Sequence, residues 1–185
     1  PHMPFFGPRD GQYSPEDVPL PPNFENPPGE GQPLRARLVA EYYRQNGFGD
    51  YPLRSEADWR RLISNYWGLC SLIDTHVGRI LDTLDRAGLR DDTVVVFTSD
   101  HGDMMGAHRL LTKCLMFQEA IRVPMMIRMP GQKSGRRIKG PVSQIDMVPT
   151  LLDLLGQPIP VHLQGQSLRP LMETEGARAD RSVFV

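Results

Sequence analysis

Cysteine is scarce in this sequence, which has only Cys70 and Cys114 among its 185 residues. Two cysteines do not make a disulfide framework in a chain of this length. They are also too far apart for the C-x-x-C spacing of a zinc or redox motif. Cys70 lies in a helical apolar pattern, where we expect it to be a small buried side chain. A disulfide-rich scaffold and a zinc finger are therefore excluded.

Long apolar runs and a large net charge are also missing. No segment approaches the length of a membrane span, and the chain opens directly on PHMPFFGP, so we expect no span and no leader peptide in it. The net charge of −1 does not favour nucleic acid or a membrane surface as a partner. The basic cluster KSGRR, residues 133–137, is typical of a solvated loop, with a phosphate site as the alternative.

Proline is abundant near the start, where ten of the 18 prolines lie within the first 33 residues. Each proline removes a backbone donor and fixes φ, so helices and central strands are disfavoured there. We predict that residues 1–35 form a long loop wrapped over a surface. Such a loop is unusual at the start of a domain. Together with the missing initiator methionine, it leads us to expect a piece of a longer protein.

Residues 36–185 alternate between helical and strand patterns. The strongest helix is predicted over residues 55–89, where apolar residues recur at steps of three and four and Ser55 and Asp58 have capping-box spacing. A helix is also predicted over residues 143–156, and the stretch LRARLVAEYYRQNGF has a weaker helical pattern. The runs TVVVFTSD and VPMMIRMPG predict short buried parallel strands. The order predicts an α/β fold, a mainly parallel β-sheet flanked by helices, in one domain covering residues 1–185.

The segment DHG, Asp100 to Gly102, stands where the first predicted strand ends. Ligands of open parallel sheets bind just beyond the carboxyl ends of the strands. A carboxylate and a neutral imidazole suit a divalent cation, and a glycine beside them lets another group approach the backbone. A turn in which Asp100 accepts local backbone hydrogen bonds explains the same residues, so both interpretations stay open at this point.

Four further polar residues each allow two interpretations. Lys113 lies in a mostly apolar stretch and is either a surface lysine with a packed stem or a fixed charge for an anionic substrate. His2 stands between two prolines, which would hold it pre-aimed, or it belongs to a frayed terminus. Asp103 and His108 either reinforce a site at the DHG segment or face solvent.

Five segments stand in a characteristic order along the chain. They are PHMPF, LIDTHVGRILDTLDRAGLRDDTVVVFTSDHGDMMGAHRLLTK, RVPMMIRMPG, QIDMVPTLLDLLG and GQSLRPLM. Together they resemble the sulfatase family of the alkaline-phosphatase-like superfamily. The resemblance implies part of an alkaline-phosphatase-like α/β domain. It also implies hydrolysis of small-molecule or saccharide sulfate esters by a divalent metal and a formylglycine nucleophile.

The resemblance also implies roles for individual residues. Asp100 and His101 match the family's metal-binding pair, which implies calcium, with manganese as the ion of some phosphonate- or phosphate-cleaving relatives. Lys113 matches the lysine that contacts the sulfate group, and His2 matches the histidine beside the ester oxygen. Both are therefore candidate catalytic and substrate-binding residues. His108 matches a polar residue of the pocket and is a further substrate-binding candidate.

The sequence departs from the family at the nucleophile. Formylglycine forms from a C/S-x-P-S/A-R motif, but Cys70 is followed by SLID and Cys114 by LMFQ. The family's N-terminal strand with two acidic ligands and its C-terminal subdomain are missing as well. We therefore expect the remainder of a parent sulfatase chain to supply these parts. The 185 residues alone are then expected to be inactive.

Two other functions stay open. A phosphodiesterase or phosphonate monoester hydrolase of the same superfamily fits the same residues, because sulfate and phosphate esters share a tetrahedral anionic geometry. A non-catalytic scaffold that binds an anion or a partner is the other alternative. The joint presence of the DHG segment, Lys113 and His2 argues against it. The sequence leaves the substrate, the oligomeric state and the compartment open, although the family is often periplasmic, secreted or lysosomal.

Overall fold

The computed structural model describes residues 3–113, 115–180 and 182–183. The chain divides into two compact units, Pro1–Gly131 and Gln132–Val185. Among the described residues, no helix combines the length and apolar character that crossing a membrane requires. The prediction that all 185 residues form one domain stays a prediction.

The first unit begins with the Pro-rich loop. Its described part up to residue 33 has one short 3-10 turn, Pro15–Asp17, which agrees with the helix-breaking effect of its prolines. Helix α1, Leu34–Asn46, follows and ends at Gly47, whose φ of 69° is the left-handed conformation that glycine adopts readily. The weak helical pattern over this stretch therefore does form a helix.

Helix α2, Glu56–Arg86, confirms the strongest helix prediction. The Ser55 side chain accepts a hydrogen bond from the Asp58 N–H, and the Asp58 carboxylate accepts one from the Ser55 N–H at 2.9 Å. This capping box satisfies backbone donors that the first turn of a helix leaves without partners. Ala87 and Gly88 end the helix slightly earlier than the pattern predicted.

Only the first half of α2 is buried, because the Pro-rich loop covers that half. The buried residues are Trp59, Leu62, Ile63, Ser64 and Gly68. In the second half, no residue of the predicted apolar stripe is buried, and Ile80 is 62% exposed. Cys70 is also exposed, which corrects the expectation of a buried cysteine. The helical period identified an apolar face correctly but could not show how much of it is covered.

Two glycines of α2 allow a matched test of this packing. A Cβ at Gly68 would lie 2.6 Å from the carbonyl oxygen of Arg9, whereas a Cβ at Gly78 would meet nothing within 4 Å. We expect Gly68→Ala to lower the free energy of unfolding by about 1–3 kcal/mol through overpacking. Gly78→Ala is expected to raise it by roughly 0.5–1 kcal/mol through helix propensity. Urea unfolding followed by circular dichroism measures both, and equal effects would contradict the close approach of the loop.

Two strands form a small sheet in the first unit. They are β1, Val95–Thr98, and β2, Met125–Arg128, and they pair antiparallel with Val95 opposite Arg128. This corrects the expectation that the two strands run parallel. None of their residues is buried, which corrects the expectation of buried strands as well. Parallel strands need a crossover that spans the sheet. The connection here contains only the short helix α3, Gln118–Ile121, and a 3-10 turn, so the chain returns at the end of the sheet where it left.

The remaining core of the first unit has two apolar clusters. One joins the Pro-rich loop, α1 and α2, and its buried members are Phe5, Val18, Phe24, Tyr43, Tyr51, Leu53, Trp59, Leu62, Ile63 and Leu111. The other packs α1 against the connection between β1 and β2, and its buried members are Ala36, Met104, Ala107, Leu110, Leu115 and Ala120. The connection that carries the candidate site is therefore supported by buried packing.

The second unit is organised around one buried carboxylate. A 3-10 turn, Gln144–Asp146, leads into helix α4, Met147–Leu154, which confirms the predicted helix there, and helix α5, Arg169–Glu173, follows. Asp146 is 0% exposed, and its carboxylate accepts hydrogen bonds from the N–H groups of Ser143 and Gln166. These bonds compensate for the desolvation of a buried charge.

Candidate functional site

Asp100 and His101 lie directly beyond β1, and their side chains converge. The Asp100 Oδ2 atom is 3.5 Å from the His101 Nε2 atom. His101 Nδ1 is 2.7 Å from the carbonyl oxygen of Gly102 and donates its proton to it. Nε2 then lies on the side of Asp100. A ring held by such a backbone acceptor is the usual state of a metal-binding histidine.

The surroundings of Asp100 keep its carboxylate charged. Desolvation acts to raise the pKa of Asp100, but the His101 N–H, the imidazole and the Ser99 hydroxyl outweigh it, so the pKa is lowered. The His101 N–H donates to Asp100 Oδ1 at 3.0 Å. Asp100 therefore presents a full negative charge at neutral pH.

The donor chemistry fits a divalent cation in part. Calcium binds oxygen ligands at about 2.3–2.6 Å, and a donor pair 3.5 Å apart can share one ion at such distances. Two ligands are too few for a complete site. In the described part of the chain, no group of three or more histidine, cysteine, aspartate or glutamate side chains could hold a metal ion. The pair is therefore a fraction of a coordination shell.

Gly102 fixes the position of this pair against α3. Its N–H donates to the carbonyl oxygen of Ala120 at 2.8 Å. A Cβ at Gly102 would lie only 1.8 Å from the carbonyl oxygen of Glu119, so no side chain fits there. Residues 102–120 thus form a loop whose two ends are hydrogen-bonded to each other. It contains Lys113 and is called the Lys113 loop below.

Asp103 links the two predicted site regions inside the Lys113 loop. Its Oδ1 accepts hydrogen bonds from the N–H groups of Met105 at 3.1 Å and Thr112 at 2.9 Å. Burial raises the pKa of Asp103, while those two bonds and the charges of Lys113 and His101 lower it, and the net shift is upward. Lys113 and His101 therefore lie within electrostatic reach of one carboxyl group.

His108 makes its contacts with the Pro-rich loop. Its Nδ1 atom is 2.6 Å from the carbonyl oxygen of Asn26, and its Nε2 atom is 3.0 Å from the Asn23 amide nitrogen. The ring also packs on Phe117, with centroids 4.7 Å apart. Both ring nitrogens are engaged by the protein itself, which favours a structural role. The substrate-binding role of His108 stays a prediction.

His2 lies outside the residues that the structure describes, so its catalytic and substrate-binding roles also stay predictions. The described chain nearby is anchored at Phe5, which is 1% exposed. The carbonyl oxygen of Phe5 accepts a hydrogen bond from the Tyr51 hydroxyl at 2.6 Å. The described residues 3–5 are therefore attached to the core of the first unit through Phe5.

Comparison with known protein families identifies the family of this chain. The sulfatase family model matches residues 6–157, which is most of the chain. The chain belongs to the sulfatase family. Its fold is alkaline-phosphatase-like, since a phosphonate monoester hydrolase from Silicibacter pomeroyi superposes with a TM-score of 0.78 at 32% identity. That match covers 91% of this chain and 35% of the hydrolase.

Two curated proteins are examples of relatives that are similar to this sulfatase-family chain. The multifunctional alkaline phosphatase superfamily protein PehA of Trinickia caryophylli is 36% identical, over 97% of this chain and 37% of its own length. An N-acetylglucosamine-6-O-sulfatase of Bacteroides thetaiotaomicron is 33% identical, over 76% of this chain and 25% of its own length. The chain therefore spans about a third or less of the relatives it matches.

Sequence reasoning missed one contact of the Lys113 loop. The segment NFEN, residues 23–26, contacts the Lys113 loop through Asn23, Glu25 and the Asn26 carbonyl. The sequence contains one signal for it. Two proline pairs bracket these polar and aromatic residues and hold the chain stiff on both sides. A stiff polar segment within a wrapping loop indicates a docking point.

Proposed function

We propose that this sulfatase-family chain builds part of the active site of a hydrolase that cleaves sulfate esters. Asp100 and His101 are the proposed ligands of a divalent cation, with calcium as the first candidate because the family resemblance implies it and manganese as the alternative. The observation that carries the proposal is the 3.5 Å convergence of Asp100 Oδ2 and His101 Nε2, with the imidazole oriented by Gly102.

We propose a separate role for each of the chain's own site residues in binding and cleaving an anionic ester. A bound cation supplies positive charge that activates a nucleophile and neutralises the ester oxygens. Asp100 and His101 hold and orient that charge. The Lys113 ammonium binds an anionic oxygen and stabilises the charge that develops on it in the transition state. His2 is proposed to serve the leaving oxygen as a general acid. Asp103 fixes the backbone that connects Lys113 with the metal pair.

The nucleophile and the other metal ligands are proposed to come from outside these 185 residues. The sequence has no C/S-x-P-S/A-R motif. The donor set of the described residues is also too small for a full coordination shell. We therefore propose that the remainder of a parent sulfatase chain is the partner of this chain and contributes a formylglycine. The isolated chain is expected not to hydrolyse nitrophenyl sulfate.

A phosphonate or phosphate monoester is the second candidate substrate. PehA and the phosphonate monoester hydrolase match over 97% and 91% of this chain, whereas the N-acetylglucosamine-6-O-sulfatase matches over 76%. The similarity to the N-acetylglucosamine-6-O-sulfatase supports a sulfated saccharide as one form of the first candidate substrate, a sulfate ester. Competition of inorganic sulfate and phenylphosphonate for the calcium-loaded parent chain separates the two classes. Tighter binding of phenylphosphonate would favour the second.

Metal binding is the direct test of the proposed site. We expect calorimetry on the parent sulfatase chain, which supplies the remaining ligands, to show calcium binding that weakens about 10- to 100-fold in His101→Ala and in Asp100→Asn. The first variant loses a donor atom and the second loses the carboxylate charge. His76→Ala is the matched control, since His76 is an exposed histidine on α2. Affinities of the two site variants that equal the wild-type value would remove the pair from the metal site, and so would an equal loss in the control.

A further inference from the structure

The NFEN segment holds the Lys113 loop at two separate places through one amide. The Asn23 amide nitrogen is 3.0 Å from His108 Nε2 and donates at 2.7 Å to Glu119 Oε1. His108 lies before Lys113 in the loop, and Glu119 lies close to the loop's end. One side chain of the Pro-rich loop therefore bridges the two stretches of chain on either side of Lys113.

The hydrogen bonds around His108 define a single arrangement. Nδ1 lies 2.6 Å from the Asn26 carbonyl, so Nδ1 carries the proton and Nε2 accepts from the Asn23 amide. The His108 N–H also donates to the Asn23 carbonyl oxygen at 3.3 Å, and His108 has a φ of 56°. Left-handed backbone is costly for a residue other than glycine. The contacts with Asn23 and Asn26 offset that cost.

A second anchor acts beside the first. The Arg109 guanidinium donates to both carboxylate oxygens of Glu25, at 2.9 and 2.7 Å. It also lies over the Phe24 ring at 4.6 Å, and Phe24 packs edge-on against Trp59 of α2. The NFEN segment is thus fixed to the core through Phe24. It provides a rigid base for the loop.

The orientation of the Asn23 amide follows from its neighbours. Its Oδ1 atom is buried and has no hydrogen-bond partner among the described residues. Exchanging the two amide atoms would place an oxygen against the Glu119 carboxylate and against the lone pair of His108 Nε2. Both contacts would be repulsive. The unsatisfied oxygen is therefore the smaller cost, and the function of Asn23 depends on its two donated hydrogen bonds.

We propose that Asn23 is a positioning residue, which holds the Lys113 loop so that Lys113 and the Asp100–His101 pair face the same anion. The path is short. Glu119 adjoins Ala120, whose carbonyl oxygen accepts the Gly102 N–H at 2.8 Å, and Gly102 follows the metal pair directly. The proposal rests on the proposed function of that pair and of Lys113. It adds a residue of the Pro-rich loop that does not touch substrate.

Asn23→Asp and Asn26→Asp form a matched pair that tests this role. Both add the same charge to the same segment. Only the first removes the two donated bonds and places a carboxylate against Glu119, because Asn26 contacts His108 through its backbone carbonyl. We expect Asn23→Asp to speed hydrogen exchange of the Met104 and Thr112 amides at least about tenfold. It should also weaken sulfate binding to the calcium-loaded parent chain about tenfold. Asn26→Asp should change neither quantity appreciably.

Two further variants separate positioning from general loss of stability. Asn23→Ala removes the bonds without the repulsion and should show a smaller change in the same direction. Ser64→Ala removes a buried hydrogen bond to the Tyr13 carbonyl oxygen elsewhere in the first unit. It should lower the melting temperature without changing sulfate affinity. Equal changes in sulfate affinity for Asn23→Ala and Ser64→Ala at matched stability would overturn the positioning role.

The outcomes for the two proposals are distinguishable. A wild-type parent chain that binds calcium but no sulfate contradicts the proposed function, and the positioning of the loop is then decided by exchange alone. Unchanged exchange at Met104 and Thr112 in Asn23→Asp overturns the inference whatever the sulfate result. Changed exchange with wild-type sulfate affinity overturns it too, because Lys113 would then not depend on the loop.

Discussion

Replacing Gly102 by alanine is expected to abolish calcium binding at Asp100 and His101 and to destabilise the first unit by about 3 kcal/mol or more. The new Cβ would lie 1.8 Å from the carbonyl oxygen of Glu119 and 2.9 Å from its carbonyl carbon. Both are backbone atoms, so rotation of a side chain cannot relieve the overlap. The two ends of the Lys113 loop must separate, and the hydrogen bond from Gly102 to Ala120 is lost.

Gly31→Ala is the control for this experiment. It makes the same chemical change in the first unit at a position where a Cβ meets nothing within 4 Å. Denaturant unfolding gives the stability of both variants, and calorimetry gives their calcium affinity. A Gly102→Ala chain with normal calcium affinity would show that the metal pair does not depend on contact with α3.

Trp59→Ala is expected to cost about 3–5 kcal/mol of folding free energy, the second large effect. Trp59 is 3% exposed, stacks edge-on with Phe24 at a centroid distance of 5.6 Å, and lies in the core cluster that joins the Pro-rich loop to α2. Removing the indole leaves a cavity below the NFEN segment. We therefore expect faster exchange in the Lys113 loop as well as lower stability.

Trp67→Ala provides the same substitution on the same helix. Trp67 is 36% exposed and contacts Tyr13 edge-on at a centroid distance of 5.5 Å. We expect it to cost roughly 1 kcal/mol, since part of the ring is already in water. Thermal unfolding of the two variants measures the difference. Similar losses would mean that the burial of Trp59 does not make it more important for stability than the partly exposed Trp67.

The sequence was most informative where one local pattern extends over many residues. Helix α2 could be predicted because its apolar period and its Ser55–Asp58 cap agree with each other. The positions of the two strands were predicted correctly, but their relative direction was predicted wrongly. A continuous apolar run indicates burial in a sheet and carries no information about direction. Here direction is set by the Lys113 loop, which turns the chain back without a crossover.

The folding of that loop explains why the site could be predicted only in part. Asp100, His101 and Lys113 are site candidates from the sequence motif, and the charges of His101 and Lys113 both act to lower the pKa of the Asp103 carboxyl group. The loop depends on left-handed backbone at residues other than glycine. Residue propensities do not predict this conformation, because it is uncommon for such residues. These residues are Met105, His108, Arg109 and Thr112. Its anchor at Asn23 is distant in sequence, so only coordinates could reveal the contact.

The two-stranded sheet has a consequence for handling the protein. Within the described residues each strand has one neighbour, so each keeps an outer edge of backbone donors and acceptors. Phe97 and Met126 stand opposite each other across the pair and are 38% and 58% exposed. An open edge beside an apolar pair is a template for a strand of another molecule. Concentrated solutions of this chain therefore carry a built-in tendency to aggregate, which dilution or a short charged tag would counter.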